Sequence, residues 1–313
     1  MLDRVRRQVL ALVLAAVAAM SPLQCVSASA GDPKVPPGQD PGGTAVALIA
    51  GGIDYTSDKI APRLARDGEG ELIGWDVVDN DRTPFAASGG AGGNGSKAAT
   101  VAPSDQSSKD DTNLATLLLS AYAKGRLVPV RTPTGDAQAL AKAIAFVAGT
   151  PARIVAIAEP LDSAPLRLVV RQAAERFRDH LFVVAGYGGG GGAVREAAEP
   201  LPSLMNLANV LVVAAVEDVK GKSATDVVKT TDLIVMPRGG SMFAGIVEGG
   251  PPRNGGEAVM LASASAACQG HGRSEPLVGS AAKAATLDAA RTLPDLPAVR
   301  VLDPMCWYGG VRY

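Results

Sequence analysis

The chain has 313 residues, of which 47% are hydrophobic and only 4% aromatic, and its formal net charge is -1. That length suits one large α/β domain or two small ones, with a core built mostly of Ala, Val and Leu. With no basic excess and no basic stripe, nucleic acid is not an expected partner.

Residues 1–30 read as a secretory signal. Arg4, Arg6 and Arg7 give a positive start. The apolar run over residues 9–20 is too short to span a bilayer, and Ala28, Ser29 and Ala30 form a small-residue cleavage site. Cleavage there removes three basic residues and one acidic, leaving 27 and 30 and a formal charge of -3. No stable membrane anchor then remains, and the expected location is periplasmic or secreted. Cys25 is a poor lipoprotein cysteine because Gln24 precedes it; its loss leaves Cys268 and Cys306, either a pair or two buried thiols. Residues 31–44 are rich in Pro, Gly and Asp without periodicity and read as a linker.

From residue 45 strands alternate with helices. Residues 46–49 form a buried strand followed by Gly51 and Gly52, which permit a sharp turn at its end. A second apolar run, 72–78, is expected to pair beside it. Residues 86–97 are a glycine-rich loop and 104–112 a polar, exposed stretch. A helix over 114–123 leads to a strand over 126–131, then a helix over 137–148 and a strand over 153–158. A charged amphipathic helix, 166–180, precedes the strand 181–185. Further strands are expected over 209–216 and 232–236, and a helix over 279–291. The alternation predicts an α/β fold: a doubly wound, mainly parallel sheet with helices on both faces, over residues 45–313.

The wording of this scaffold resembles the subtilisin-like serine peptidases (subtilases), from Ala45 to about Pro304. In that family a first strand ends in an aspartate followed by T-G-[IV]-D; here it ends in Ala50, and Asp54 is a structural turn residue. The family's G-H-G-T-x-V-A-G appears as G-N-G-S-K-A-A-T, which puts Asn94 at the histidine. Asparagine cannot act as a general base. The oxyanion asparagine corresponds to Tyr187. The nucleophile motif fits two ways. Counting back from the E-P-L-x-G-[AS] wording at Glu275 maps Gly256-Glu257-Ala258 onto G-T-S, which is preferred; otherwise Ser265 or Ser263 is the hydroxyl. Where the family pairs its peptide substrate, this chain reads Ala158-Glu159-Pro160, and proline has no N–H to offer.

The resemblance therefore implies a three-layer subtilase-like domain without an intact triad, with a peptide or protein as the expected partner of a degenerate cleft, no cofactor and no metal-ligating residues singled out, calcium binding being left open. Two alternatives stand beside it. One is an active serine endopeptidase using Ser265 or Ser263, with His180 and His271 the only histidines for a base. The other is a dinucleotide-binding protein, from strand 181–185, the G-x-G-x-x-G match in residues 186–192, and the acids Glu217 and Asp218 after the next strand.

Overall fold

The structure is a computed structural model, described here over residues 32–86, 111–186, 202–216, 224–236, 254–271, 273, 275–293 and 296–302. Its centre is a nine-stranded sheet. The strands are β1 (Thr44–Ala50), β2 (Trp75–Asp76), β3 (Gly125–Arg131), β4 (Ile154–Ile157), β5 (Leu181–Ala185), β6 (Val210–Ala215), β7 (Leu233–Val235), β8 (Arg291–Leu293) and β9 (Leu296–Leu302). Their order is β2-β3-β1-β4-β5-β6-β7-β9-β8, and every pairing but β8 with β9 is parallel. The doubly wound, mainly parallel α/β architecture is thus present.

The helices are α1 (Thr112–Ala121), α2 (Ala137–Ala148), α3 (Ala164–Arg176), the short α4 (Pro202–Met205), α5 (Ala224–Thr230), α6 (Gly255–Gln269) and α7 (Gly279–Ala289). Successive strand residues face opposite ways, so each strand feeds two cores. Val46, Leu48, Ala156, Val183 and Val213 pack with residues of α1, α6 and α7. Ala47, Ile49, Val155, Ile157, Phe182 and Val184 pack with α2 and α3. Each fully buried Leu, Ile or Phe contributes about 1.5–3 kcal/mol. The central helix α6 is buried on nearly every side, from Gly255 through Ala267, as an all-round apolar, alanine-rich helix must be.

Two expectations change. The run 72–78 forms only the two-residue strand β2, and it pairs with β3, not with β1. β3 takes the place beside β1 because its residues 127–130 are buried throughout, whereas 72–78 carries Gly74, Asp76 and an exposed Val78 and suits the rim. The tail also supplies β8 and β9, which the sequence reading left unassigned. Residues 32–43 have no regular structure, yet they bond to the domain. The Tyr55 hydroxyl donates to the Pro33 carbonyl (2.6 Å), Arg66 donates to that of Pro36 (2.6 Å), and Asp40 pairs with Arg126.

Candidate site at the carboxyl edge of the sheet

In an open parallel sheet, ligands bind beyond the strands' carboxyl ends, where neighbouring strands send their connections to opposite faces. β1 leads towards α1 on one face, while β3 and β4, on either side of it, lead to α2 and α3 on the other. The switch point, where a crevice is expected, therefore lies at the end of β1.

Ala50 ends β1 and is 4% exposed; its carbonyl accepts the N–H of Thr132 (2.8 Å), just past β3. On the other side the Ala158 N–H donates to the Ile49 carbonyl (3.0 Å). Gly52 has φ +114°, and a Cβ there would stand 2.8 Å from Ala86 Cβ and 2.9 Å from Arg131 Cδ, so both conformation and space demand glycine. Arg131, at the end of β3, is fixed by Asp76 and Asp79, each at 2.7 Å. Asp54 closes a turn, accepting from the Thr56 N–H (2.9 Å) and hydroxyl (2.5 Å).

Two helices aim their N-termini at this edge. Asp111, the residue before α1, is buried; its carboxylate accepts the Gly51 N–H (2.8 Å) and its own N–H donates to the Gly52 carbonyl (2.9 Å). The next residue, Thr112, accepts the Asp54 N–H (2.7 Å). Asn254 caps α6 by accepting the Glu257 N–H (3.1 Å). A Cβ on Gly256 would lie 3.5 Å from Leu114 of α1 and 3.8 Å from the Ala158 carbonyl, so the first turns of α1 and α6 meet over the end of β4. Ala258, in the first turn of α6, is fully buried in the core that also holds Ala50 and Ala158.

Glu159 follows Ala158 and is 6% exposed. One carboxylate oxygen accepts the Gly135 N–H, tying the loop after β4 to the loop after β3 across the end of β1. The other, Oε2, is buried with no hydrogen-bond partner. Burial raises the pKa of this carboxyl, and the charges of Asp162 and Asp136 add to the rise against the Gly135 hydrogen bond.

Ser263 and Ser265 lie about one and a half and two turns further along α6 than Ala258, 0% and 3% exposed, and the Ser263 hydroxyl is buried without a partner. Both are core positions. The histidines lie at the opposite edge. His180 immediately precedes β5; its Nδ1 pairs with Asp179 (2.8 Å) and its Nε2 faces Arg153 (3.2 Å). Burial lowers its pKa, Asp179 opposing that, and the neutral ring donates to Asp179 while accepting from Arg153. His271 follows the far end of α6 and meets the Tyr122 ring edge-on, 6.2 Å between centroids, at the far end of α1. The 15 residues of α6 separate its two ends by about 22 Å at 1.5 Å per residue.

Asn94, Tyr187, the glycine run, Glu217 and Asp218 lie outside the described residues. The helix beside the end of β1 begins at Thr112, and the residue against that end is Asp111, which the sequence reading placed in an exposed stretch. Its signal was available: an Asp before the apolar periodicity of α1 is a helix-start pattern, and Asn254-x-x-Glu257 is another. In the sequence Glu159 is marked only by its neighbour Pro160. Among the described residues no group of three His, Cys, Asp or Glu could hold a metal ion, and no helix is long and apolar enough to cross a membrane.

No protein-family model matches the chain, and no curated protein matches it. Solved structures similar to it include a cold-adapted subtilisin-like serine proteinase, at 15% identity and a TM-score of 0.49, covering 85% of this chain and 90% of that one. A lanthipeptide protease is 12% identical with a TM-score of 0.49, covering 86% and 88%. MycP1 with its N-terminal propeptide removed is 16% identical with a TM-score of 0.45, covering 86% and 91%.

Proposed function

We propose that this chain is an exported protein of subtilase-like fold that binds peptide or protein segments at the carboxyl edge of its sheet and has no peptidase activity. The observation that carries the second half is the placement of the two histidines. The serine-histidine chemistry of the family needs its histidine base within hydrogen-bond reach of the nucleophile. The chain has only His180 and His271, and both sit at the amino edge of the sheet, the length of α6 away from Ala50 and Ala258. The Ser263 and Ser265 hydroxyls are sealed in the core, which removes support from the endopeptidase alternative. The dinucleotide alternative gains no support either: its glycine run, Glu217 and Asp218 lie outside the described residues.

The peptide-binding half rests on the resemblance in wording and on the strand order, which puts the switch point of the sheet at the end of β1. Export rests on the first 30 residues. The test is reaction of the purified mature protein with a fluorophosphonate serine probe. No stoichiometric labelling is expected; clean labelling at Ser263 or Ser265 would overturn the reading. N-terminal sequencing of the exported protein should begin at Gly31, and a cytoplasmic protein that starts at Met1 would reject export.

A further inference from the structure

The loops after β3 and β4 bring three carboxyl groups to the crevice: Asp136, Glu159 and Asp162. Asp136 and Asp162 are exposed, and both act electrostatically on the buried Glu159. No cation pairs with any of the three among the described residues. Asp136 is occupied in part, accepting the N–H groups of Gln138 and Ala139 at the start of α2. The unusual atom is Glu159 Oε2, buried and without a partner, while Oε1 is held by the Gly135 N–H. A buried carboxylate oxygen left unpaired is costly, and a charge-assisted donor is the group that removes the cost.

We propose that Glu159, with Asp136 and Asp162 at its rim, forms a subsite for the cationic end of a Lys or Arg side chain of a bound peptide. This deepens, and rests on, the peptide-binding reading above. The shape of the site argues for that occupant. Among the described residues no group of three His, Cys, Asp or Glu could hold a metal ion. The exposed pair offers a first encounter with positive charge, and the deeper oxygen needs a donor delivered on a slim stem. Lys and Arg are that combination: an apolar stem that packs along the surface and a terminal donor. Oε2 is buried, so reaching it requires its surroundings to yield. Gly135, which contacts Glu159, is exposed, has φ +83°, and has nothing within 4 Å of where a Cβ would stand. The incoming ammonium or guanidinium donates to Oε2, and Oε1 keeps its backbone partner.

The experiment uses the full mature chain and two fluorescein-labelled alanine hexapeptides, one with a central arginine and one with norleucine there, followed by anisotropy at low salt. The arginine peptide should bind about tenfold more tightly. Glu159→Gln, which keeps size and shape, should reduce that ratio to below about threefold, the range left to the two rim charges. Asp162→Asn, at an exposed position, should lower the ratio by about twofold and weaken its salt dependence. Equal affinity for the two peptides, or a ratio unchanged in Glu159→Gln, overturns the subsite while leaving peptide binding intact. Failure of the wild-type protein to bind either peptide overturns both readings.

Discussion

Ser263 and Glu159 are both buried with an unsatisfied oxygen, and they make opposite use of it. Ser263 is surrounded by apolar residues of α6 and the sheet, so its hydroxyl is desolvated with nothing gained in return. Ser263→Ala should therefore stabilise the protein, by about 1 kcal/mol, through removal of an unpaired polar group and better helix propensity. The urea midpoint measures this; a lower midpoint would show that the hydroxyl has a structural partner. Glu159 is ionisable, so its cost depends on pH. Its pKa is raised in the folded state, chiefly by burial and then by Asp162 and Asp136, so the folded protein holds a proton that the unfolded chain releases. Stability from this group is highest below the unfolded pKa and falls as pH rises through the folded one. Glu159→Gln should consequently raise the thermal midpoint at pH 8, and the gain should vanish towards pH 4. A midpoint lowered by the same amount at both pH values would contradict this account.

At the scale of elements, a buried lysine fastens helices to the sheet. Lys283 of α7 is 7% exposed, and its ammonium donates to the carbonyls of Met205 (2.9 Å) and Leu207 (3.2 Å), at the end of and just past α4. It also pairs with Asp232 at 3.2 Å; Asp232 in turn accepts the Val212 N–H of β6 (2.8 Å). One side chain thus joins α7, the α4–β6 connection and the start of β7. Lys283→Met should destabilise by about 3–5 kcal/mol, because it strands the Asp232 carboxylate with little solvent. Asp232→Asn in the same chain should recover part of that loss. Additive losses in the double variant, measured by chemical denaturation, would mean the two groups are not coupled.

Across the whole molecule, the segment 32–43 belongs to the folded body even though it has no regular structure. Asp40 is its anchor: its carboxylate accepts the N–H groups of Arg66 (2.9 Å) and Gly42 (2.7 Å) and meets Arg126. Partial burial works against ionisation, but those donors outweigh it and hold the pKa below the usual carboxylate range. The stability it gives is present above the unfolded pKa and is lost as pH falls through the lower folded one. Asp40→Ala should therefore lower the thermal midpoint at pH 7 and have little effect near pH 2–3. Limited proteolysis should then trim the chain before residue 43 sooner than in the wild type. Equal trimming rates would show that the segment is held by Tyr55 and Arg66 without Asp40.

What the sequence by itself determined was the layering. Continuous apolar runs of four to six residues alternating with helical spacing leave little choice but a parallel sheet covered on both faces, and β1, β3, β4, β5 and β6 fall where those runs lie. It also showed a strand ending in Ala50 rather than an acid, and a chain poor in histidine. What only the tertiary structure decided was adjacency. Local pattern cannot say that β3 rather than the run 72–78 lies beside β1, because that choice depends on which strand can be buried on both faces. It cannot show that the Cys268 thiol, buried or paired on sequence grounds, is disulfide-bonded, its partner lying outside the described residues. Nor can it show that Asp111 meets Gly51, 60 positions away, or that His180 and His271 sit an α-helix length from the end of β1. Hydrogen bonds and burial are made between residues distant in the chain, so a lone glutamate before a proline looks like any surface acid until the folded loops close over it.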